Sequence, residues 1–364
     1  MRPQALNPAR LPLLFRKELE MCKVKPGSLV ILVTDLTTRL DYIQAAFAAA
    51  ADLGIKVYEL KIATPFVAGQ IASQGGGDAL LSLPGAIEAI ESAELVLVFH
   101  ISLGSAWMQR ARKKGVRFLL VIDGPDELEC LLSPPGLKEA VLYTRDLFQR
   151  TREMHVSSEA GTDFRCRLGE LNTVCQYGYA DEPGCVDTWG GAHVSTWANP
   201  GSSEGIIALQ PGDSWILPYV RFIETPVRLI IEKSIIRKIE GEGTDAKLLA
   251  QYFEKSKRHP GDLEPYHVSH LGWGLNPNSA WDQLAVHGND MARIASHTRA
   301  WPGVFLFSTG PDDQGGGKNS TRAHVDLPMM GCTVRLDGRI VIDRGTVVDP
   351  KMIVQRGPAL QAAA

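Results

Sequence analysis

Long apolar runs are missing from this 364-residue chain. Stretches such as Leu95–Phe99 and Phe118–Ile122 fall far short of the roughly 20 residues that span a bilayer. Charge of one sign is missing too. The chain carries 38 Lys+Arg against 41 Asp+Glu, a net charge of −3, which gives no electrostatic footprint for nucleic acid. Met1–Arg16 has neither an apolar core nor a small-residue cleavage site, so no secretory leader is expected. The six cysteines (Cys22, Cys130, Cys166, Cys175, Cys185, Cys332) form no C-x-x-C pair. Scattered thiols of this kind are expected to be buried and reduced, in a cytoplasmic setting. No G-x-G-x-x-G follows Val30–Val33, and no G-x-x-x-x-G-K-[ST] occurs anywhere, so no nucleotide fingerprint is present. What remains is an ordinary globular composition, 45% hydrophobic and 22% charged, at a length that usually divides into two domains. A symmetric homo-oligomer is the expected state of association.

Two periods alternate over the first 150 residues. Ser28–Asp35 (SLVILVTD) reads as a buried strand, and Thr38–Gly54 as an Ala-rich helix closed by Gly54. Lys56–Lys61 is a second strand and Pro84–Ala93 a helix with its proline in the first turn. Glu94–His100 is a third strand, Ser105–Lys114 a helix and Val116–Asp123 a fourth strand. Near-continuous apolar strands separated by helices specify a parallel sheet covered on both faces, a Rossmann-like α/β layer. The Gly75–Gly77 run reads as a flexible turn, with a phosphate loop as the other reading. Leu137–Glu153 reads as a long exit helix.

Beyond Ser158 the pattern changes. Asp163–Tyr177, Ile206–Ala208, Trp215–Leu217 and Pro226–Glu240 alternate as strands do. Thr244–Lys257 and Trp281–His297 read as helices, and Gly303–Ser308, Thr321–Val334 and Arg339–Val348 as strands. This predicts a mixed, mainly antiparallel α+β domain that binds metal. The expected division is 1–158 and 159–364. The tail Gln355–Ala364 is expected to be loosely ordered unless docked.

Six of the nine histidines lie beyond residue 258. His324-Val325-Asp326 falls in a predicted strand, where residues two apart share a face, so an imidazole and a carboxylate project together. Just upstream runs the polar loop Gln314-Gly315-Gly316-Gly317-Lys318-Asn319-Ser320, and further upstream Ser269-His270-Leu271-Gly272-Trp273-Gly274-Leu275-Asn276-Pro277. His270, expected on a loop, completes with His324 and Asp326 the composition of a 2-His-1-carboxylate facial triad, the non-haem Fe(II) arrangement. Ligand types alone leave Mn(II) and zinc hydrolysis open. His259, His267, His287 and His297 are alternative ligands, His267 foremost. His100, at the carboxyl end of an apolar strand, and His193, in a Gly-rich segment, are candidate bases. Ser308, next to Thr309-Gly310, is placed to bond a substrate, and Trp197 and Trp273 to wall an aromatic pocket.

The stretch from His270 through Gly274-Leu275-Asn276-Pro277 to Asn319-Ser320 and His324-Val325-Asp326 resembles the C-terminal half of the thermophilic aminopeptidase family of two-metal peptidases. That family reads E-L-G-x-G-x-N-P, an I-H-L-A-x-G strand, a G-G-x-N-x-S loop and H-x-D. Here the first Glu is His270, the strand His falls at Leu306, and the following Tyr falls near Asp313. A further ligating Glu of that family would fall near Glu204, as a metal or substrate contact. The altered pattern is similar to the 2,5-dihydroxypyridine 5,6-dioxygenase family, Fe(II) enzymes of nicotinate-type pyridine degradation built on the same fold. That resemblance implies Fe(II) on His270, His324 and Asp326. It also implies opening of 2,5-dihydroxypyridine by O2 between C5 and C6, giving N-formylmaleamate. A base for the 5-hydroxyl, polar anchors for the ring nitrogen and 2-oxygen, and a dry pocket are then required. The competing expectation is a metal-dependent aminopeptidase on the same scaffold.

Overall fold

A computed structural model describes residues 8–63, 80–100, 105–287 and 291–356, with the side chains of 287–295 left aside. The Gly75–Gly77 run, the His287 side chain and most of the tail lie outside the described residues. The chain forms two compact units, and the segment Gln176–Gly191 returns to the first after an excursion into the second.

The first unit is the expected parallel sheet. Its strand order is Lys56–Lys61, Leu29–Thr34, Leu95–Val98, Arg117–Leu120, Val186–Thr188, with all four neighbouring pairs parallel. Successive residues of each central strand feed opposite cores. Val30, Leu32, Leu95 and Leu97 pack with Leu14, Phe15, Ala46 and Ala49 of helices Leu11–Met21 and Leu40–Leu53. Ile31, Val33, Val96 and Val98 pack with Ile87, Ile90 and Trp107 of helices Ala86–Glu91 and Ala106–Arg112. Both faces are apolar because both are covered. Gly54 ends its helix in the left-handed conformation, as its position requires.

The compact units do not follow a single break between residues 158 and 159. The helix Leu137–Arg150 belongs to the second unit, where Phe148 packs on Trp273 with ring centroids 4.6 Å apart. The fifth parallel strand comes from Val186–Thr188, well past the predicted division. Its sequence, Val-Asp-Thr, carries no apolar run. The buried Asp187 carboxylate instead accepts the backbone N–H groups of Tyr177, Gly178 and Thr188.

Among the described residues, the second unit has two large sheets and a two-stranded antiparallel one, Ser214–Trp215 with Arg221–Phe222. One has eight strands, in the order Ile235–Glu240, Val227–Glu232, Glu204–Leu209, Asp163–Arg167, Glu153–Ser157, Thr333–Leu336, Arg339–Asp343, Thr346–Val347. The other has five, in the order Val325–Met329, Phe305–Thr309, Val268–Gly274, His193–Trp197, Thr173–Gln176. Phe164 of the first meets Phe307 of the second edge to face, with centroids 5.9 Å apart. The predicted helix 281–297 is divided into Gln283–His287 and Met291–Ala300.

Gly274 closes its strand where the end of the Met291–Ala300 helix crosses it. A Cβ at Gly274 would lie 2.2 Å from the Ala300 carbonyl carbon and 2.4 Å from the Arg299 oxygen. Gly274→Ala is therefore expected to cost about 1–3 kcal/mol in denaturant unfolding, as overpacking does. Gly261→Ala, whose Cβ meets nothing closer than 3.8 Å, should stay within about 0.5 kcal/mol of the parent protein.

Candidate metal centre

Three neighbouring strands of the five-stranded sheet build the site. Val268 faces Thr309 and Leu271 faces Phe307, so two residues, Ser269 and His270, stand opposite the single Ser308. This is a β-bulge, a device that re-aims a side chain and takes a carbonyl out of the ladder. The carbonyl of His270 is satisfied by the Ser308 hydroxyl, which donates to it at 2.8 Å. His270, expected on a loop, is thus a strand residue turned by a bulge. On the other side of Phe305–Thr309, Asp326 pairs with Ser308. His324 stands one residue before its strand and, two positions from Asp326, shares its face.

The three side chains converge. His270 Nε2 lies 3.1 Å from His324 Nε2 and 3.2 Å from Asp326 Oδ1, and His324 Nε2 lies 3.1 Å from the same oxygen. All three residues are buried. Among the described residues they are the group of ligand-type side chains close enough to hold one metal ion. Ligand bonds of about 2.0–2.2 Å to one ion place neighbouring donor atoms about 2.8–3.6 Å apart, so the spacing of these three side chains suits a single metal ion.

Charge supports the same assignment. Burial is the strongest single influence on Asp326 and raises its pKa. His324, His270 and Arg299 together outweigh it and hold the carboxyl well below the usual range. Burial lowers the pKa of His270 against the pull of Asp326, favouring the neutral, ligating imidazole. Arg299, at the end of its helix, places Nη2 3.4 Å from Asp326 Oδ2. It was not singled out from the sequence, since an arginine in the last turn of a helix carries no motif.

His193 lies on the strand next to that of His270, with ring centroids 6.4 Å apart. It is buried, its Nδ1 is 2.9 Å from Ser195 Oγ, and its Nε2 has no protein partner among the described residues. Burial, Arg299 and His270 all push its pKa well below the ordinary value, which favours the neutral ring. In register, His193 faces Gly274, Ser195 faces Gly272 and Trp197 faces His270. Neither glycine leaves room for a side chain: a Cβ at Gly272 would lie 1.8 Å from the Val194 carbonyl oxygen, and one at Gly274 2.2 Å from the Ala300 carbonyl carbon. The Trp197 ring stacks edgewise on His270 at 5.9 Å.

Other expected residues fall elsewhere. Trp273 pairs with Val194, on the opposite face of the sheet, and is core against Phe148 rather than a substrate wall. The Ser308 hydroxyl donates to the His270 carbonyl and keeps its acceptor lone pairs. Glu204 is exposed on the eight-stranded sheet, opposite Arg165, and is not in the converging group. His100 belongs to the first unit, half-buried after the strand Leu95–Val98. Burial lowers its pKa against the pull of Asp35. His267 is adjacent in sequence but outside the group, His259 is exposed, and His297 Nδ1 accepts the Ala280 N–H at 3.0 Å.

The profile of the 2,5-dihydroxypyridine 5,6-dioxygenase family matches residues 10–349. A curated 2,5-dihydroxypyridine 5,6-dioxygenase of Pseudomonas putida is 35% identical over 347 residues, covering 94% of this chain and 97% of its own. The solved 2,5-dihydroxypyridine dioxygenase of the same species superposes with a TM-score of 0.88 at 34% identity, covering 95% of this chain and 99% of its own. AmpT from Thermus thermophilus superposes with a TM-score of 0.61 at 16% identity over 94% of this chain and 99% of its own, which shows a shared fold alone. The aminopeptidase reading has no other support. The chain belongs to the 2,5-dihydroxypyridine 5,6-dioxygenase family.

Proposed function

We propose that this protein is a mononuclear Fe(II) dioxygenase that opens 2,5-dihydroxypyridine between C5 and C6 with O2, giving N-formylmaleamate. The observation that carries the proposal is the convergence of His270, His324 and Asp326 into one buried group of ligand atoms. Two imidazoles and one carboxylate would suit Fe(II) and would leave it positions for other ligands. When bound, the iron supplies one-electron chemistry that lets O2 react with a closed-shell ring. The reaction balances without an external reductant. One oxygen atom ends on C5, which becomes the carboxylate, and the other on C6, which becomes the N-formyl group.

The protein's own residues have separate tasks. His193 accepts the proton of the 5-hydroxyl at Nε2, and Ser195, receiving Nδ1–H, fixes the tautomer that leaves Nε2 basic. Arg299 anchors Asp326 through the carboxylate oxygen turned away from the imidazoles. The burial of the group keeps bulk water from the reacting ring. His100 is the competing candidate for the base. The six cysteines carry no disulfide, which supports a reducing, cytoplasmic setting, and no helix among the described residues is long and apolar enough to cross a membrane. We expect a homo-oligomer.

Anaerobically purified protein loaded with Fe(II) and given 2,5-dihydroxypyridine is expected to consume one O2 per substrate as the aromatic absorbance disappears. Absence of oxygen uptake would overturn the assignment. His270→Ala, His324→Ala and Asp326→Ala should each lose bound iron and turnover together, measured by metal analysis alongside oxygen uptake. His193→Ala should keep its iron and lose about 10²–10⁴-fold in kcat, the usual contribution of a general base. A loss of that size in His100→Ala with His193→Ala unaffected would move the role to His100.

A further inference from the structure

A metal-ligating histidine is normally oriented through its other ring nitrogen, which donates to a carboxylate or carbonyl. Neither ligand ring follows that habit here. Nδ1 of His270 and Nδ1 of His324 are both buried without a protein partner among the described residues. Orientation must come from the backbone. For His270 the bulge and Ser308 provide it. For His324 the sheet does not, because the ladder with Phe305–Thr309 begins at Val325 and leaves the peptide groups of residue 324 outside it. A single phenol takes both. The His324 N–H donates to Tyr252 Oη at 2.8 Å, and the Tyr252 O–H donates to the His324 carbonyl at 3.1 Å. Tyr252 is buried on the helix Thr244–Ser256.

We infer that Tyr252 is the positioning residue of the metal centre, its hydroxyl clamping the backbone of His324 so that Nε2 meets Asp326 and His270. The inference rests on the reading of His324 as a metal ligand. Both hydroxyl bonds of Tyr252 run to the backbone of His324, so metal affinity should respond to loss of the hydroxyl in a way that a packing role would not produce. Tyr252→Phe keeps the ring and removes both hydrogen bonds.

The test is Co(II) titration of the metal-free full-length protein, by chelator competition and by the visible absorption of the bound ion. Four proteins are compared: the parent, Tyr252→Phe, Tyr143→Phe and His324→Ala. Tyr143 bonds Asp349 at 3.0 Å, away from the centre, and reports the general cost of losing a tyrosine hydroxyl. Tyr252→Phe is expected to weaken Co(II) binding about 10–100-fold and to shift its absorption bands, as loss of an orienting partner does. Tyr143→Phe should leave both unchanged. Parent-like affinity and spectrum in Tyr252→Phe, with His324→Ala unable to bind, would overturn the inference and leave the site intact. Parent-like Co(II) binding in His324→Ala would instead overturn the site reading. Should Tyr252→Phe not fold, amide hydrogen exchange of the parent protein decides. Slow exchange at His324 supports the clamp, and exchange at the rate of an unprotected peptide overturns it.

Discussion

A carboxylate with no exposed surface, set between two imidazole nitrogens, is the constraint around which the second unit is arranged. Burying an unpaired carboxylate costs several kcal/mol even after relaxation. Asp326 escapes that cost because positive or ligating partners reach it from separate elements. His324 comes from two residues earlier, His270 from a strand two positions across the sheet, and Arg299 from the end of a helix. None of these could be supplied by a regular ladder alone. The bulge at Ser269–His270 turns one imidazole inward, and the absence of a side chain at Gly274 lets the helix bring its last turn, with Arg299, against the strand. With a divalent cation at the centre of the triangle, the same carboxylate changes from a liability into the strongest anchor of the site.

Much of this was legible in the sequence, and the reason is periodicity. Leu29–Thr34, Leu95–Val98 and Arg117–Leu120 are apolar at every or nearly every position because both faces of the parallel sheet are covered, and that signal needs no partner to be read. His324 and Asp326 were legible as a pair because a strand places alternate residues on one face. His270 was legible by its place in the Gly272–Pro277 motif, although the bulge that makes it a strand residue is a matter of register and has no composition of its own. The strand Val186–Thr188 was hidden for the opposite reason. It is three residues long, and its central Asp187 is there to bind three backbone N–H groups. The surroundings of Trp273 and Ser308 were not legible, because a sequence shows that a residue is near a ligand in order, but not on which face it stands or which carbonyl its hydroxyl bonds.

The shared fold with AmpT makes the chemistry of one position informative. Registers place Leu306 between Pro328 and Gly272, on the same face as Ser308 and Asp326. In the peptidase pattern that the sequence resembles, a ligating histidine is expected at that position. Here it is a fully buried leucine, which can donate no electron pair and lowers the polarity beside the triad. The rest of the sheet needs no alteration for that change to matter. One strand residue removes a donor from the second-metal position, and replacement of the first Glu by His270 alters the charge of what remains. Two imidazoles and one carboxylate leave a divalent ion with a net charge of +1 from the protein ligands. That charge is suited to an anionic substrate oxygen, whereas a carboxylate-rich pair of sites suits a bridging hydroxide between two cations. On the proposed reading, a single metal site on this scaffold therefore follows from the charge and number of donors on one sheet face, with the layers behind it unchanged.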